Sequence, residues 1–446
     1  MGLSDADLGQ QSIRKLLIRQ AIPASVGILF MTVNVLIDAI FVGRWIGSLA
    51  IAALSVVMPL TFFISSLGMA IGVGGSSVLS RALGAGNKDK AINVFAHQVV
   101  MTFGLSSLFV IAGLIFSEEI LYAFGANGDI MEPAREFFTP ILIAVPFQAL
   151  CMMGNNVIRA EDKSKHAMAA MIISAVANIV LDILFIKIFG WGIFGASLAT
   201  GLSFFSCFLY ILWFFIYRSE LLPSFRHFAW HRKIAGEITS LSFVTFARQG
   251  VISILAVLLN HTLFSFGGEH AVTVYGIISR MLMFMLFPVL GMTQGFLPVA
   301  GYNYGAENYG RVRESIRLSI LYAGALAIVI FAVILIFAKP ITAVFTTDPD
   351  VIRDTPGALR WVFAASPIIA VQLIGAAYFQ AAGKATKALM LTLSKQGFFL
   401  IPLVLILPHF WGLFGVWIAF PIADVLSTIV TGVFLKREMS GELRGE

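Results

Sequence analysis

Trp191-Gly192-Ile193-Phe194-Gly195 opens one long apolar run, and Trp411-Gly412-Leu413-Phe414-Gly415 opens another 220 residues further on. The same register recurs elsewhere. Gly84-Ala85-Gly86-Asn87 matches Gly305-Ala306-Glu307-Asn308, Phe124 and Asp129 match Phe345 and Asp350, and Pro146 matches Pro367, each at a spacing of 221. Five matches in nearly constant register describe a chain that repeats itself once.

The repeated unit is lipid-facing. The 446 residues are 59% hydrophobic and 12% charged, with a mean hydropathy of +0.91, whereas a soluble domain carries about 25% charged residues. Twelve apolar runs have the roughly 20 residues that cross a bilayer core. They lie near 13–41, 48–77, 92–115, 134–157, 164–187, 192–216, 236–264, 271–297, 313–337, 357–380, 388–408 and 411–435. The runs are continuous rather than alternating, which selects helices over strands. The first run is too long for a cleaved signal segment, follows a polar stretch and carries Asp38, so it is read as a span.

The predicted fold is an all-α membrane protein of twelve transmembrane helices in two six-helix lobes. Six spans per repeat is an even number, so both halves enter the membrane in the same direction. The expected relation is a parallel repeat, with a pseudo-two-fold axis along the membrane normal. Residues 1–217 form the N-lobe, 218–235 a polar linker and 236–446 the C-lobe.

Charge sets the orientation. Twenty-one of the 30 Lys and Arg fall on the side of the termini and six on the other: Arg44, Arg135, Lys187, Lys339, Arg353 and Arg360. That bias predicts cytoplasmic termini. The net charge of +6 thus reflects topology, and scattered basic residues on short loops do not suit nucleic acid. His227 and His231 on the linker lack a third ligand nearby and read as part of a solvated basic connector rather than a metal site. Cys151 and Cys207 fall inside spans and make neither a disulfide framework nor a zinc site. Gly383-Lys384-Ala385 is not a Walker sequence, and no loop is large enough for a soluble catalytic domain. No cofactor, no metal and no enzymatic activity are expected; an ion gradient is the expected energy source.

Charged residues inside spans are costly and therefore functional candidates. Asn34 and Asp38 are four apart on the first span, and Asn178 and Asp182 repeat that spacing on the fifth, so each pair shares a helix face. Thr200 on the sixth span lies at similar depth. Two carboxylates, two amides and a hydroxyl form an oxygen-rich set that suits Na⁺ or a shared proton; the alternative is a polar network that ties helices together. Arg248, Arg280, Lys395 and Asp424 form a second group in the C-lobe, read either as a salt bridge with snorkelled ends or as a lever sensing the other half. Pro23 marks a static bend or a moving part. Met31, Met152, Met153, Asn155, Asn156, Met281 and Met285 are candidates for a pliable substrate cavity, against the alternative that such side chains face lipid.

The stretches Asn34-Val-Leu-Ile-Asp38-Ala-Ile-Phe-Val-Gly43, Ser80-Arg-Ala-Leu-Gly84-Ala-Gly86-Asn, Asn178-Ile-Val-Leu-Asp182 and Gly192-Ile-Phe-Gly195-Ala-Ser-Leu-Ala-Thr200 together resemble the multidrug and toxic compound extrusion (MATE) transporters. Within them the chain is most similar to the DNA-damage-inducible F and staphylococcal-type branch, over essentially its whole length. The resemblance implies two lobes forming a V, an N-lobe cation site at Asp38, Asn178, Asp182 and Thr200, and a first helix that bends at Pro23. It also implies exchange of cationic or amphipathic drug-like molecules for H⁺ or Na⁺. The setting would be the cytoplasmic (inner) membrane of a prokaryote, and the working unit a monomer. The acidic residues that another bacterial branch carries on the seventh and tenth spans are absent, Glu269 falling in the loop between the seventh and eighth. A flippase or dedicated exporter for a lipid-linked or natural-product substrate is the alternative function.

Overall fold

The computed structural model describes residues 5–444, and within them not the side chains of 5–7, 48, 51, 225, 284 and 285. The described residues are helical throughout, without a strand. Eleven helical runs are long and apolar enough to span a membrane. One of them, Arg232–Gly305, has 74 residues and a break at Gly268 (φ 63°, ψ −160°). A straight helix of that length would reach roughly 110 Å, far beyond a bilayer, so the run is two spans and the described residues hold twelve.

In chain order these are α1 (Ile13–Trp45), α2 (Ser48–Gly84), α3 (Lys88–Ile115), α4 (Met131–Ala160), α5 (Ser164–Asp182), α6 (Gly192–Tyr217), α7 (232–267), α8 (269–305), α9 (Tyr309–Phe345), α10 (Pro349–Ala381), α11 (Ala385–Trp411) and α12 (Leu413–Ser440). Most helices run several residues past the apolar windows. Hydropathy marks only the lipid-embedded part, while capping and turn residues set the ends. Asn87, for example, starts α3 by accepting a hydrogen bond from the Lys90 N–H at 2.9 Å.

The turns carry the repeat. Left-handed backbone occurs at Gly47 (φ 124°) and Gly268 (φ 63°), at Gly86 (φ 69°) and Glu307 (φ 57°), at Asp162 (φ 61°) and Gly383 (φ 81°), and at Gly192 and Gly412 (both φ 57°). The first three pairs are 221 apart and the last 220. Two of the eight positions hold a non-glycine residue, at a cost of about 1–2 kcal/mol each; the turn is retained even where the glycine is not.

By packing, the chain divides into two compact units, Val26–Phe246 and Asp7–Ser25 with Ala247–Glu446. In the first, Val42, Ala53, Leu54, Val57, Phe138 and Leu142 are at the centre of an apolar core. Helix α2 lies so close to α4 that a Cβ on Gly68 would sit 2.6 Å from the Ala149 Cα, and one on Gly72 2.9 Å from the Met153 Cα. Small residues allow such approach where lipid supplies no hydrophobic drive between helices. In the second unit, Leu259, Leu263, Ile278, Phe363, Val404 and Val416 pack together. Large apolar side chains point outward, among them Phe103, Leu108, Ile111 and Ile115 on α3. In water such a surface would drive aggregation; against acyl chains it is matched to its solvent.

The division by packing departs from the division by span order at two helices. Residues of α1 up to Ser25 pack with the second unit and those from Val26 with the first, while α7 divides between Phe246 and Ala247. Pro23 is two residues from the first of these points.

The connector 218–235 is largely exposed, as a solvated basic linker would be, but it is tied to α3 at several points. Glu220 pairs with Lys88 at 2.7 Å. Arg226 and His227 reach Asp89 at 3.3 and 3.2 Å, and His227 is buried. The His231 N–H donates to His97 Nε2 at 2.9 Å, while His97 Nδ1 donates to the Asn93 carbonyl at 2.7 Å. The His227 ring docks the linker on α3, whereas the exposed His231 ring donates to the Ala229 carbonyl within the linker at 2.7 Å and only its backbone N–H reaches α3.

Candidate functional site

Helix α1 presents Asn34 and Asp38 on one face, and α5 presents Asn178 and Asp182 on one face, because residues four apart are stacked one turn above the other. The two faces meet in the first unit. Asn34 Nδ2 donates to Asn178 Oδ1 at 2.9 Å, Asn178 Nδ2 donates to Thr200 Oγ1 at 3.4 Å, and Thr200 Oγ1 donates to the Ala196 carbonyl at 3.0 Å. One turn along, the carboxyl groups of Asp38 and Asp182 lie against each other. Asp182 is fully buried and Asp38 is 8% exposed.

The amides and the hydroxyl are largely satisfied by one another, but the carboxylates are not. Both oxygens of Asp182, Oδ1 of Asp38 and Oδ1 of Asn34 are buried without a hydrogen-bond partner. Among the described residues no Lys, Arg or His pairs with either Asp. The nearest cation in sequence, Lys187, lies over the Trp45 ring at 5.5 Å, and Trp45 stacks on Phe41 at 4.2 Å. Four unpartnered buried oxygens, two of them on one carboxylate, are costly unless a proton or a cation joins them. The donor set is all oxygen and thus hard, which fits H⁺ or an alkali cation.

Directly after Asp182 the helix widens into a π-helical turn, Ile183–Ile188. Such turns occur often at functional sites. This one was not visible in the sequence, since one extra residue in a turn changes no residue type.

The remaining candidates are placed as follows. Met31 and Met152 are half-buried. Met153 is packed at 2% exposure. Asn155 Nδ2 donates to the Ala167 carbonyl at 2.7 Å and Asn156 Nδ2 to the Met152 carbonyl at 2.8 Å, so both amides are occupied within the helix bundle. Met281 belongs to the apolar core of the second unit, because its face of α8 turns inward. The side chain of Met285 lies outside the described residues. In the C-half, Lys395 Nζ meets Asp424 Oδ1 at 2.6 Å, with Lys395 inside a second π-helical turn, Ser394–Leu400. Arg280 is exposed, and Arg248 is half-buried with its Nε unpartnered among the described residues. These four charges form one ion pair rather than a network, since only α11 and α12 bring theirs within reach. Pro23 sits inside α1, which runs as one helix through it.

Two buried charges were missed because they read as loop residues. Arg159 is 5% exposed and Glu161 2%; Arg159 Nη2 lies 3.4 Å from Met171 Sδ, and Glu161 Oε1 accepts from Ser219 Oγ at 2.6 Å.

Comparison with known proteins agrees with the repeat. The family model MatE matches twice, over residues 23–184 and 242–406. The multidrug export protein MepA of Staphylococcus aureus strain MSSA476 is 24% identical over 416 residues, 93% of this chain and 92% of its own. MepA of Staphylococcus haemolyticus is 24% identical over 418 residues, 94% and 92%. Among solved structures, the outward-facing conformation of a multidrug resistance MATE family transporter of the MOP superfamily superposes with a TM-score of 0.93 at 28% identity, covering 99% of this chain and 98% of that one. A MATE crystal structure in the bent conformation gives the same TM-score, identity and coverage. With a family model covering both halves and relatives aligned nearly end to end, the chain belongs to the MATE family of transporters.

Proposed function

We propose that this protein is a secondary active multidrug exporter that antiports cationic or amphipathic small organic molecules against H⁺ or Na⁺. Its setting is the cytoplasmic membrane, with both termini on the cytoplasmic side. The observation that carries the reading is the facing pair Asp38 and Asp182, buried, without a cationic partner among the described residues, and framed by Asn34, Asn178 and Thr200. MepA, aligned over most of its length, is a multidrug export protein. The flippase alternative has no observation in its favour.

The mechanism follows from charge. A proton or Na⁺ entering between the two carboxylates lowers their joint charge from −2 to −1, relieves their repulsion and draws α1 and α5 together at that depth. Loss of that cation separates them and leaves negative charge facing a cationic substrate. Pro23 removes one hydrogen bond from α1, beside the point where α1 passes from one packing unit to the other, and is the proposed pivot. One charge falling through 100 mV supplies about 2.3 kcal/mol, and one pH unit adds about 1.4 kcal/mol. Moving an equilibrium from 1:99 to 99:1 takes about 5.5 kcal/mol, so the empty states must lie close in energy.

The test is dye efflux from cells expressing the protein, with and without an uncoupler. Accumulation that rises on uncoupling supports antiport; efflux insensitive to both the proton and the sodium gradient contradicts it.

A further inference from the structure

A groove of about 470 Å³ opens on the second unit, between the start of α9, the middle of α10 and the end of α12. Its walls are of two kinds. Arg313, Arg317, Lys436 and Ser440 supply charge and a hydroxyl, while Ile316, Ile320, Val371, Gly432, Leu435 and Met439 are apolar or bare. Arg313, Lys436 and Ser440 lie nearest one end of the groove, with Arg317 one turn deeper along α9. Arg313 lies in the first turns of α9 and Lys436 in the last turns of α12, both at the membrane end that carries the chain's C-terminus. Ile320 and Gly432 lie about 12–16 Å along their helices from that end, by the helical rise.

The cations are not neutralised. Arg313, Arg317 and Lys436 take part in none of the ion pairs among the described residues, although acids are near. Glu438 is held by Lys384 and by Lys387, the latter at 3.1 Å, and Glu442 by Lys384. Glu314, beside Arg313 in sequence, is exposed and does not line the groove. At the apolar end, a Cβ added to Gly432 would meet nothing within 4 Å, so the missing side chain leaves a channel along α12.

We infer that this groove binds an anionic phospholipid, its phosphate held by Arg313, Arg317 and Lys436 and one acyl chain lying along Gly432. Three cations outside the ion pairs of the described residues, two near the helix ends and one a turn deeper, in an otherwise apolar groove match a phosphodiester joined to hydrocarbon, and basic clefts between spans on the positively charged side favour such headgroups. A free phosphate shares the charge but has no use for the apolar half. The inference is independent of what the protein transports.

The experiment uses the full chain purified in an uncharged detergent. Phosphatidylglycerol, cardiolipin, phosphatidylcholine and inorganic phosphate are titrated separately, with retained adducts read by native mass spectrometry and unfolding temperature read in parallel. The expected result is saturable binding of the two anionic lipids with a raised unfolding temperature, and no comparable effect of phosphatidylcholine or phosphate. A triple variant, Arg313→Gln with Arg317→Gln and Lys436→Gln, should weaken anionic-lipid binding about a hundredfold while keeping its helical circular dichroism and monodisperse elution. Gly432→Phe, which leaves every charge in place, should weaken lipid binding by filling the apolar channel. Equal binding of phosphatidylcholine, unchanged affinity in the triple variant, unchanged affinity in Gly432→Phe, or full reproduction of the stabilisation by inorganic phosphate would each overturn the assignment to a lipid.

Discussion

Glu161 closes the turn between α4 and α5 with its carboxylate out of water. Burial pushes its pKa up from 4.5 to about 7, against the smaller lowering effects of the Ser219 hydroxyl and Lys163. A raised carboxylate stabilises the fold by proton uptake, fully below pH 4.5, and loses that contribution as pH rises through 7. Above pH 7 the ionised group costs about 3 kcal/mol. Glu161→Gln is therefore expected to unfold at a higher temperature than wild type at pH 8 and to lose that advantage at pH 5, as read by thermal unfolding in detergent. A constant difference across that range would remove Glu161 as the titrating group. Glu307 offers a second test. It holds the left-handed turn that Gly86 holds 221 residues earlier, so Glu307→Gly should stabilise the protein by up to about 1 kcal/mol, whereas Gly86→Glu should destabilise it.

At the scale of elements, spacing alone makes the two candidate pairs legible. Asn34 with Asp38 and Asn178 with Asp182 are four apart on apolar runs, and the periodicity of a helix alone puts each pair on one face. That the two faces meet rests on tertiary packing, which spacing does not encode. The docking of the linker through His97 and the burial of Arg159 were illegible for the same reason, while the π-helical turns after Asp182 and around Lys395 leave no mark in residue type. Met281 shows the converse, an apolar side chain whose helix face was ambiguous until α8 was packed. The close approach of α2 to α4 makes its own prediction. Gly68→Val should cost about 2–3 kcal/mol or more by forcing α2 from α4, read as loss of monodisperse protein and a lower unfolding temperature. Gly104→Ala, with nothing within 4 Å of the added Cβ, should leave both unchanged. Pro23→Ala restores a hydrogen bond to α1 and is expected to slow dye transport in vesicles while cation binding at Asp38 and Asp182 persists; wild-type transport rates would make the proline a static bend.

At the scale of the molecule, one six-helix plan is written twice, down to the left-handed turns, yet among the described residues only the first copy carries facing carboxylates. In the second copy the buried acid Asp424 is already neutralised by Lys395 at 2.6 Å. On the proposed antiport reading, an ion drawn to unpaired negative charge within the spans would have its best site in the N-half, and coupling would be asymmetric although the scaffold is repeated. The most direct measurement is dye efflux by Asp38→Asn and Asp182→Asn in proteoliposomes under an imposed proton or sodium gradient, with insertion and fold checked by monodisperse elution. Both variants should be present at wild-type levels and export no dye above background, while Asp424→Asn with Lys395→Met retains gradient-driven export. Wild-type export by Asp38→Asn would contradict the account.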